Sequence, residues 1–142
     1  MQFGRHSRFN QDHRFLKKES SNRFRVTMEE FLCKTYSYYC DFSAASRGYE
    51  FSLSHEDLKS LIIGANCYYC GKAPQYSEYI KDLGKIMFNG IDRVDNSIGY
   101  VKGNVVACCK KCNTFKSDTS VKKFAQMAAM YEKIKSFLDK EK

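Results

Sequence analysis

Two Cys-x-x-Cys pairs constrain this chain more than any other feature. They are Cys67-Tyr68-Tyr69-Cys70 and Cys109-Lys110-Lys111-Cys112. A zinc ion takes four thiolate or imidazole ligands at the corners of a tetrahedron, and two such knuckles deliver them. The rival uses of the cysteines fit less well. Disulfides need an oxidising compartment. The N-terminal run Met1-Gln2-Phe3-Gly4-Arg5-His6 starts no signal peptide, and no apolar run is long enough for a membrane span. The expectation is an intracellular protein without a membrane anchor. A redox Cys-x-x-Cys normally occurs once, beside a βαβ pattern, and the sequence has no such pattern. The expected ligands of a structural Zn²⁺ are therefore Cys67, Cys70, Cys109 and Cys112. Cys33, Cys40 and Cys108 have no partner at metal-binding spacing and read as small apolar fillers.

The formal net charge is +8 over 142 residues. Such a charge favours a polyanionic partner, since each neutralised phosphate releases condensed counterions. Much of it lies at the start. Arg5, Arg8, Arg14, Lys17, Lys18, Arg23 and Arg25 face only Asp12 and Glu19. Phe3, Phe9, Phe15 and Phe24 are interleaved without a helical or strand period. Residues 1–25 read as a basic flexible arm whose aromatics suit base stacking; the alternative is a tail with incidental phenylalanines.

Caps and periods organise the rest. Thr27-Met28-Glu29-Glu30 is a capping box. Met28, Phe31, Leu32, Tyr39, Phe42 and Ala45 then trace one helical face that ends at Gly48. Tyr49 to Leu53 alternates like a short strand. Ser54 starts a second helix, with Leu58, Leu61 and Ile62 on one face and Gly64 as its stop. His55 sits in its first turn and reads as a solvated helix residue. This helical lead-in covers residues 26–64. Ala73 to Asn89, with the single Pro74, reads as a loop. Ile91–Val94 and Asn104–Ala107 read as strands joined by a turn at Asn96–Gly99. A helix is expected from about Cys112 or Asn113. The last helix is expected from about Thr119 to Leu138, with Val121, Phe124, Ala125, Ala128, Tyr131, Ile134 and Leu138 as its packing stripe.

The order Ile91-Asp92-Arg93, Asn104, Cys109-x-x-Cys112-Asn113-x-x-Lys116 resembles the HNH endonucleases, and more narrowly the small zinc-knuckle HNH proteins common in phage genomes. The resemblance spans about residues 43–117. Its strongest parts are the paired knuckles and the run Asp92-Arg93-Val94-Asp95-Asn96-Ser97-Ile98-Gly99-Tyr100. The segment Ala45 to Leu53 also looks like the lead-in that often precedes such domains. The resemblance implies an α+β fold: a small ββα-metal core over residues 65–117, stapled by a four-cysteine zinc site and flanked by helices, with residues 118–142 as a C-terminal amphipathic helix. It implies that Asp92 and Asn113 hold a catalytic divalent cation. Hard oxygen ligands suit Mg²⁺ or Mn²⁺. Asn104 takes the place of the middle asparagine of the family name, which tethers the loop after the first strand. The implied activity is hydrolysis of DNA phosphodiester bonds, by nicking or double-strand cleavage. RNA and branched DNA remain open as substrates.

One position departs from the family. Its usual Asp-His pair is Asp92-Arg93 here, and a permanently protonated arginine is no ordinary general base. Three readings follow. The cation alone activates water while Arg93 binds phosphate or transition-state charge. Alternatively, Asp95 or His55 is the base. Alternatively, the chain is a weak or inactive zinc-stapled nucleic-acid-binding module, or part of a phage packaging or replication assembly that docks through its last helix. The first is the working expectation, with Asp92, Arg93, Asn104 and Asn113 as the catalytic set. Lys102, Lys110, Lys111 and Lys116 are expected to contact the nucleic-acid backbone, with Lys85 lining the same cleft.

Overall fold

The computed structural model describes residues 26–140. The basic arm of residues 1–25 lies outside them. The chain opens with α1 (Met28–Ser37), and Thr27 and Glu30 satisfy each other's backbone N–H groups as the capping box requires. Beyond Ser37 the helix widens into a π-helical stretch, Tyr38–Ala44, and then tightens into a 3₁₀ turn, Ala45–Arg47. The widening corrects the expected stripe. The residues buried beyond Leu32 are Tyr39 and Ala44, five apart, whereas Phe42 and Ala45 face solvent. A π turn brings residue i+5 over residue i, and that shift moves Ala44 inward.

Residues Tyr49 to Leu53 form no full strand. Phe51 makes a single bridge to Tyr100, flanked by Tyr100 N–H to Glu50 O at 2.8 Å and Ser52 N–H to Tyr100 O at 3.1 Å. Gly99 makes this approach possible. A Cβ there would strike the Glu50 carbonyl oxygen and lie 2.9 Å from Glu50 N. Next comes α2 (His55–Ile62), capped by Ser54 and Asp57, which buries Leu58 and Ile62 completely.

The segment expected as a loop is an antiparallel hairpin, β1 (Tyr76–Ile80) and β2 (Gly84–Phe88). Its turn needs left-handed backbone at Asp82 (φ 65°) and Gly84 (φ 77°), which those residue types tolerate best. Its anchors are long-range: Ile80 is fully buried and bridges Val26, and Phe88 bridges Ile63. A second antiparallel pair follows, β3 (Gly90–Arg93) and β4 (Val105–Cys108). It leads into α3 (Lys110–Lys116) and α4 (Val121–Lys140). α3 starts earlier than expected because the Cys109 sulfur serves as its N-cap, accepting from Cys112 N–H.

The core gathers Phe31, Leu32, Tyr39, Leu53, Leu58, Ile62, Ile80, Ile91, Tyr100 and Val105 between the helices and the two hairpins. The expected packing stripe of α4 is realised only at its start. Phe124 is buried, while Tyr131, Ile134 and Leu138 are more than half exposed. Among the extra cysteines, Cys108 is buried as a filler, Cys40 is half-buried, and Cys33 is exposed.

Candidate active site

The two knuckles meet. The sulfurs of Cys67, Cys70, Cys109 and Cys112 all lie within 4.8 Å of one another, and Cys70 Sγ is 3.8 Å from Cys109 Sγ. Four sulfurs about 2.3 Å from a central zinc stand about 3.8 Å apart in a tetrahedron, so the cluster has the size of such a site. The backbone builds it locally. Gly71 N–H donates to Cys67 O at 2.8 Å, closing the first knuckle, and Asn113 N–H donates to Cys109 O at 3.0 Å, turning the second into α3. Tyr68 N–H donates to Ala107 O at 2.9 Å and so binds the first knuckle to β4. Burial opposes ionisation of Cys67, yet N–H groups of the surrounding backbone pull its thiol down to about 6. In the same cluster the thiols of Cys109 and Cys112 are pushed up, chiefly by burial.

The knuckle also delivers a contact to Asp92, where the sequence places Tyr69 only as packing on the zinc site or facing solvent. Tyr69, between the first two thiols, donates its hydroxyl to Asp92 Oδ2 at 2.8 Å. Its ring meets Phe124 of α4 edge-on at 5.2 Å, and Phe124 in turn meets Phe115 of α3 at 5.6 Å. Burial, then the hydrogen bond to Asp92 and its charge, push the Tyr69 hydroxyl well above its usual range, so it keeps its proton and donates.

Asp92 lies on β3 and is buried at 8% exposure. Lys116 Nζ forms an ion pair with the same oxygen, Oδ2, at 2.9 Å. The expected place of Lys116 is a phosphate-tracking surface, but its side chain is completely buried. Its ammonium reaches Arg93 O at 2.8 Å and Asn96 Oδ1 at 3.2 Å as well. Asn113 lies one turn before Lys116 on the same side of α3 and is exposed.

Arg93 points the other way. Neighbouring residues on a strand face opposite sides, so Asp92 and Arg93 serve different surroundings. The Arg93 guanidinium stacks 3.7 Å from the centre of the Tyr49 ring and 5.3 Å from that of Tyr100. Its Nη1 donates to Asn96 O at 2.9 Å and Ile98 O at 3.0 Å. At 5% exposure, this side chain is a strut for the loop after β3. Asn104 braces the same loop. Its Oδ1 accepts from Asp95 N–H at 2.9 Å, and its Nδ2 donates to Asp95 O and Gly99 O, each at 3.0 Å.

The two other candidate bases have different engagements. Asp95 accepts from the hydroxyl and N–H of Ser97, which hold its carboxyl below the usual range. The His55 ring stacks on Tyr36 with centres 4.1 Å apart. Lys102 is exposed and pairs with Asp57 of α2 at 2.7 Å. Lys110 and Lys111 are exposed on the first turn of α3, and Lys85 is exposed on β2.

Comparison with solved structures returns the HNH restriction endonuclease PacI, described as rare-cutting and as perturbing DNA. The two superpose with a TM-score of 0.52 over 83% of this chain and 89% of that one, at 20% identity. The chain has an HNH-like ββα fold. It combines helices and two small antiparallel pairs with a four-cysteine cluster able to hold a metal ion. No protein-family model matches the chain. An uncharacterized protein of Acanthamoeba polyphaga mimivirus is 36% identical over 84 residues, 59% of this chain. An uncharacterized 29.0 kDa protein of Enterobacteria phage T4 is 32% identical over 89 residues, 63% of this chain. The matched segments make up only 14% and 34% of those two viral proteins. No helix among the described residues is long and apolar enough to cross a membrane.

Proposed function

We propose that the chain is a metal-dependent endonuclease acting on DNA, with Asp92 and Asn113 as protein ligands of one divalent cation. The observation that carries this reading is the state of Asp92. Both of its hydrogen bonds fall on Oδ2. None of the hydrogen bonds or ion pairs among the described residues falls on Asp92 Oδ1, and the residue is 8% exposed. A carboxylate oxygen and an amide oxygen on neighbouring elements are hard donors that fit Mg²⁺ or Mn²⁺, which keep several waters and take further oxygens from phosphate. When bound, such a cation supplies Lewis-acid stabilisation of phosphate charge and a more acidic water.

The chain's own residues do the rest. Lys116 and Tyr69 hold Asp92 in one orientation. Arg93 and Asn104 shape the loop that carries Asn96 to Lys116. Lys111, exposed at the start of α3, would contact the nucleic-acid backbone, with no sequence reading implied. Zn²⁺ at the four cysteines is structural: it fastens Tyr69 and the start of α3 to the strands. Of the lysines expected at the nucleic-acid backbone, Lys110 and Lys111 are exposed on α3, Lys102 is exposed but paired with Asp57, and Lys116 acts from within.

The competing reading is a zinc-stapled binding module without catalysis. Incubation of supercoiled plasmid with the zinc-loaded protein separates the two. Nicked or linear product that requires Mg²⁺ or Mn²⁺ is expected. Retention of plasmid by the protein with no cleavage under either cation would favour the binding module.

A further inference from the structure

We infer that Lys116 is a positioning residue that makes Asp92 a one-oxygen ligand and thereby selects a small octahedral cation over a larger one. This rests on the proposed cation site. An ammonium has three N–H donors. Lys116 has three acceptors around it, Asp92 Oδ2, Arg93 O and Asn96 Oδ1, at 2.9, 2.8 and 3.2 Å. The side chain is completely buried, and every donor is used. A charge so satisfied is fixed in place, because any movement leaves a donor unpaired in a dry environment.

The consequence falls on Asp92. One oxygen receives both the ammonium and the Tyr69 hydroxyl, the latter at 2.8 Å. An oxygen that already faces a positive charge and a hydroxyl proton has little to offer a second cation. Only Oδ1 remains. Mg²⁺ binds carboxylates through single oxygens in a tight octahedron, whereas Ca²⁺ accepts six to eight oxygens and often both from one carboxylate. Lys116 therefore biases the site toward Mg²⁺ and Mn²⁺ by withholding the second oxygen, and it does so without touching the cation or the DNA.

The test is cation competition read by the electron paramagnetic resonance of bound Mn²⁺. The protein carries its four-cysteine metal throughout, and Asp92→Ala supplies the background. In the wild type, Mg²⁺ should displace the Asp92-dependent Mn²⁺ at lower concentration than Ca²⁺ does. In Lys116→Met the ratio of the two displacement midpoints should move about tenfold or more toward Ca²⁺. A merely structural lysine would lower the amount of bound Mn²⁺ and leave that ratio unchanged, which overturns the proposal. If Lys116→Met does not fold, Asn96→Ala removes one acceptor from the ammonium and keeps its charge. It should move the ratio in the same sense by about threefold, and an unchanged ratio again overturns the proposal. Plasmid cleavage measured in parallel keeps the two claims apart. Asp92-dependent Mn²⁺ binding with the expected change of ratio but intact plasmid supports the role of Lys116 and refutes the nuclease. Absence of Asp92-dependent Mn²⁺ binding refutes both.

Discussion

Replacing Arg93 by alanine should destabilise the fold severely, before any question of catalysis arises. The guanidinium sits 3.7 Å from the Tyr49 ring centre, and Nη1 donates to the carbonyls of Asn96 and Ile98. A desolvated cation–π contact is worth about 2 kcal/mol. Each hydrogen bond from a charged group adds about 1.5–3 kcal/mol, and its loss leaves a carbonyl unpaired. The three contacts share one group and do not add fully, so the expected loss is about 4 kcal/mol. That is a large part of the roughly 5–15 kcal/mol that holds a typical domain together. Urea unfolding followed by circular dichroism measures it as a lower midpoint at unchanged slope. Arg93→Lys should recover only part of the loss, because an ammonium cannot reproduce the planar fork. An arginine whose task is to meet phosphate at the surface would change stability by no more than about 0.5 kcal/mol when removed. A loss below about 1 kcal/mol would refute the strut assignment and return Arg93 to the DNA.

Other outcomes follow from the same contacts. Chelation of the metal at the four cysteines should unfold the second half of the chain. Structural zinc contributes on the order of 10–16 kcal/mol in small domains, and loss of helical signal restored by added Zn²⁺ is the readout. Gly99→Ala should lower the melting temperature by several degrees and weaken the Phe51–Tyr100 bridge, since its Cβ meets backbone atoms of Glu50; exchange protection of the Tyr100 amide checks this. Asp57 is pulled down to about 2 by hydrogen bonds from Lys102 and then Ser54. A depressed carboxyl stabilises the fold above its unfolded value near ~4 and loses that contribution as pH falls through its folded value. Melting temperature measured across that window should fall with acid in the wild type and less steeply in Asp57→Asn.

Spacing makes the metal cluster legible before any coordinates, because tetrahedral ligation leaves few ways to use two Cys-x-x-Cys pairs. Caps likewise mark the starts of α1 and α2. The hairpin β1–β2 is hidden because its evidence is distant: Ile80 is held by Val26 and Phe88 by Ile63, and no local run of β-branched residues announces either strand. Ala44 escapes the helical pattern because the chain changes to π geometry beneath it. Lys116 shows the limit of reading charge from sequence, where a lysine is presumed solvated unless its acceptors are known, and here all three come from elsewhere in the fold. The opposed directions of Asp92 and Arg93 are available in principle from the two-residue period of a strand. The role of Tyr69 is not, since only the folded knuckle aims it at Asp92.

Asp92 Oδ1 as ligand of a catalytic cation is the assignment on which the nuclease reading stands. Its most direct test is plasmid cleavage in Mg²⁺ by the wild type and by Asp92→Asn, at protein concentrations matched for DNA binding by gel shift. Asp92→Asn should bind DNA as the wild type does, with its cleavage rate reduced by a factor of about a hundred or more, about 3 kcal/mol of barrier. Equal cleavage by the two proteins would contradict the assignment.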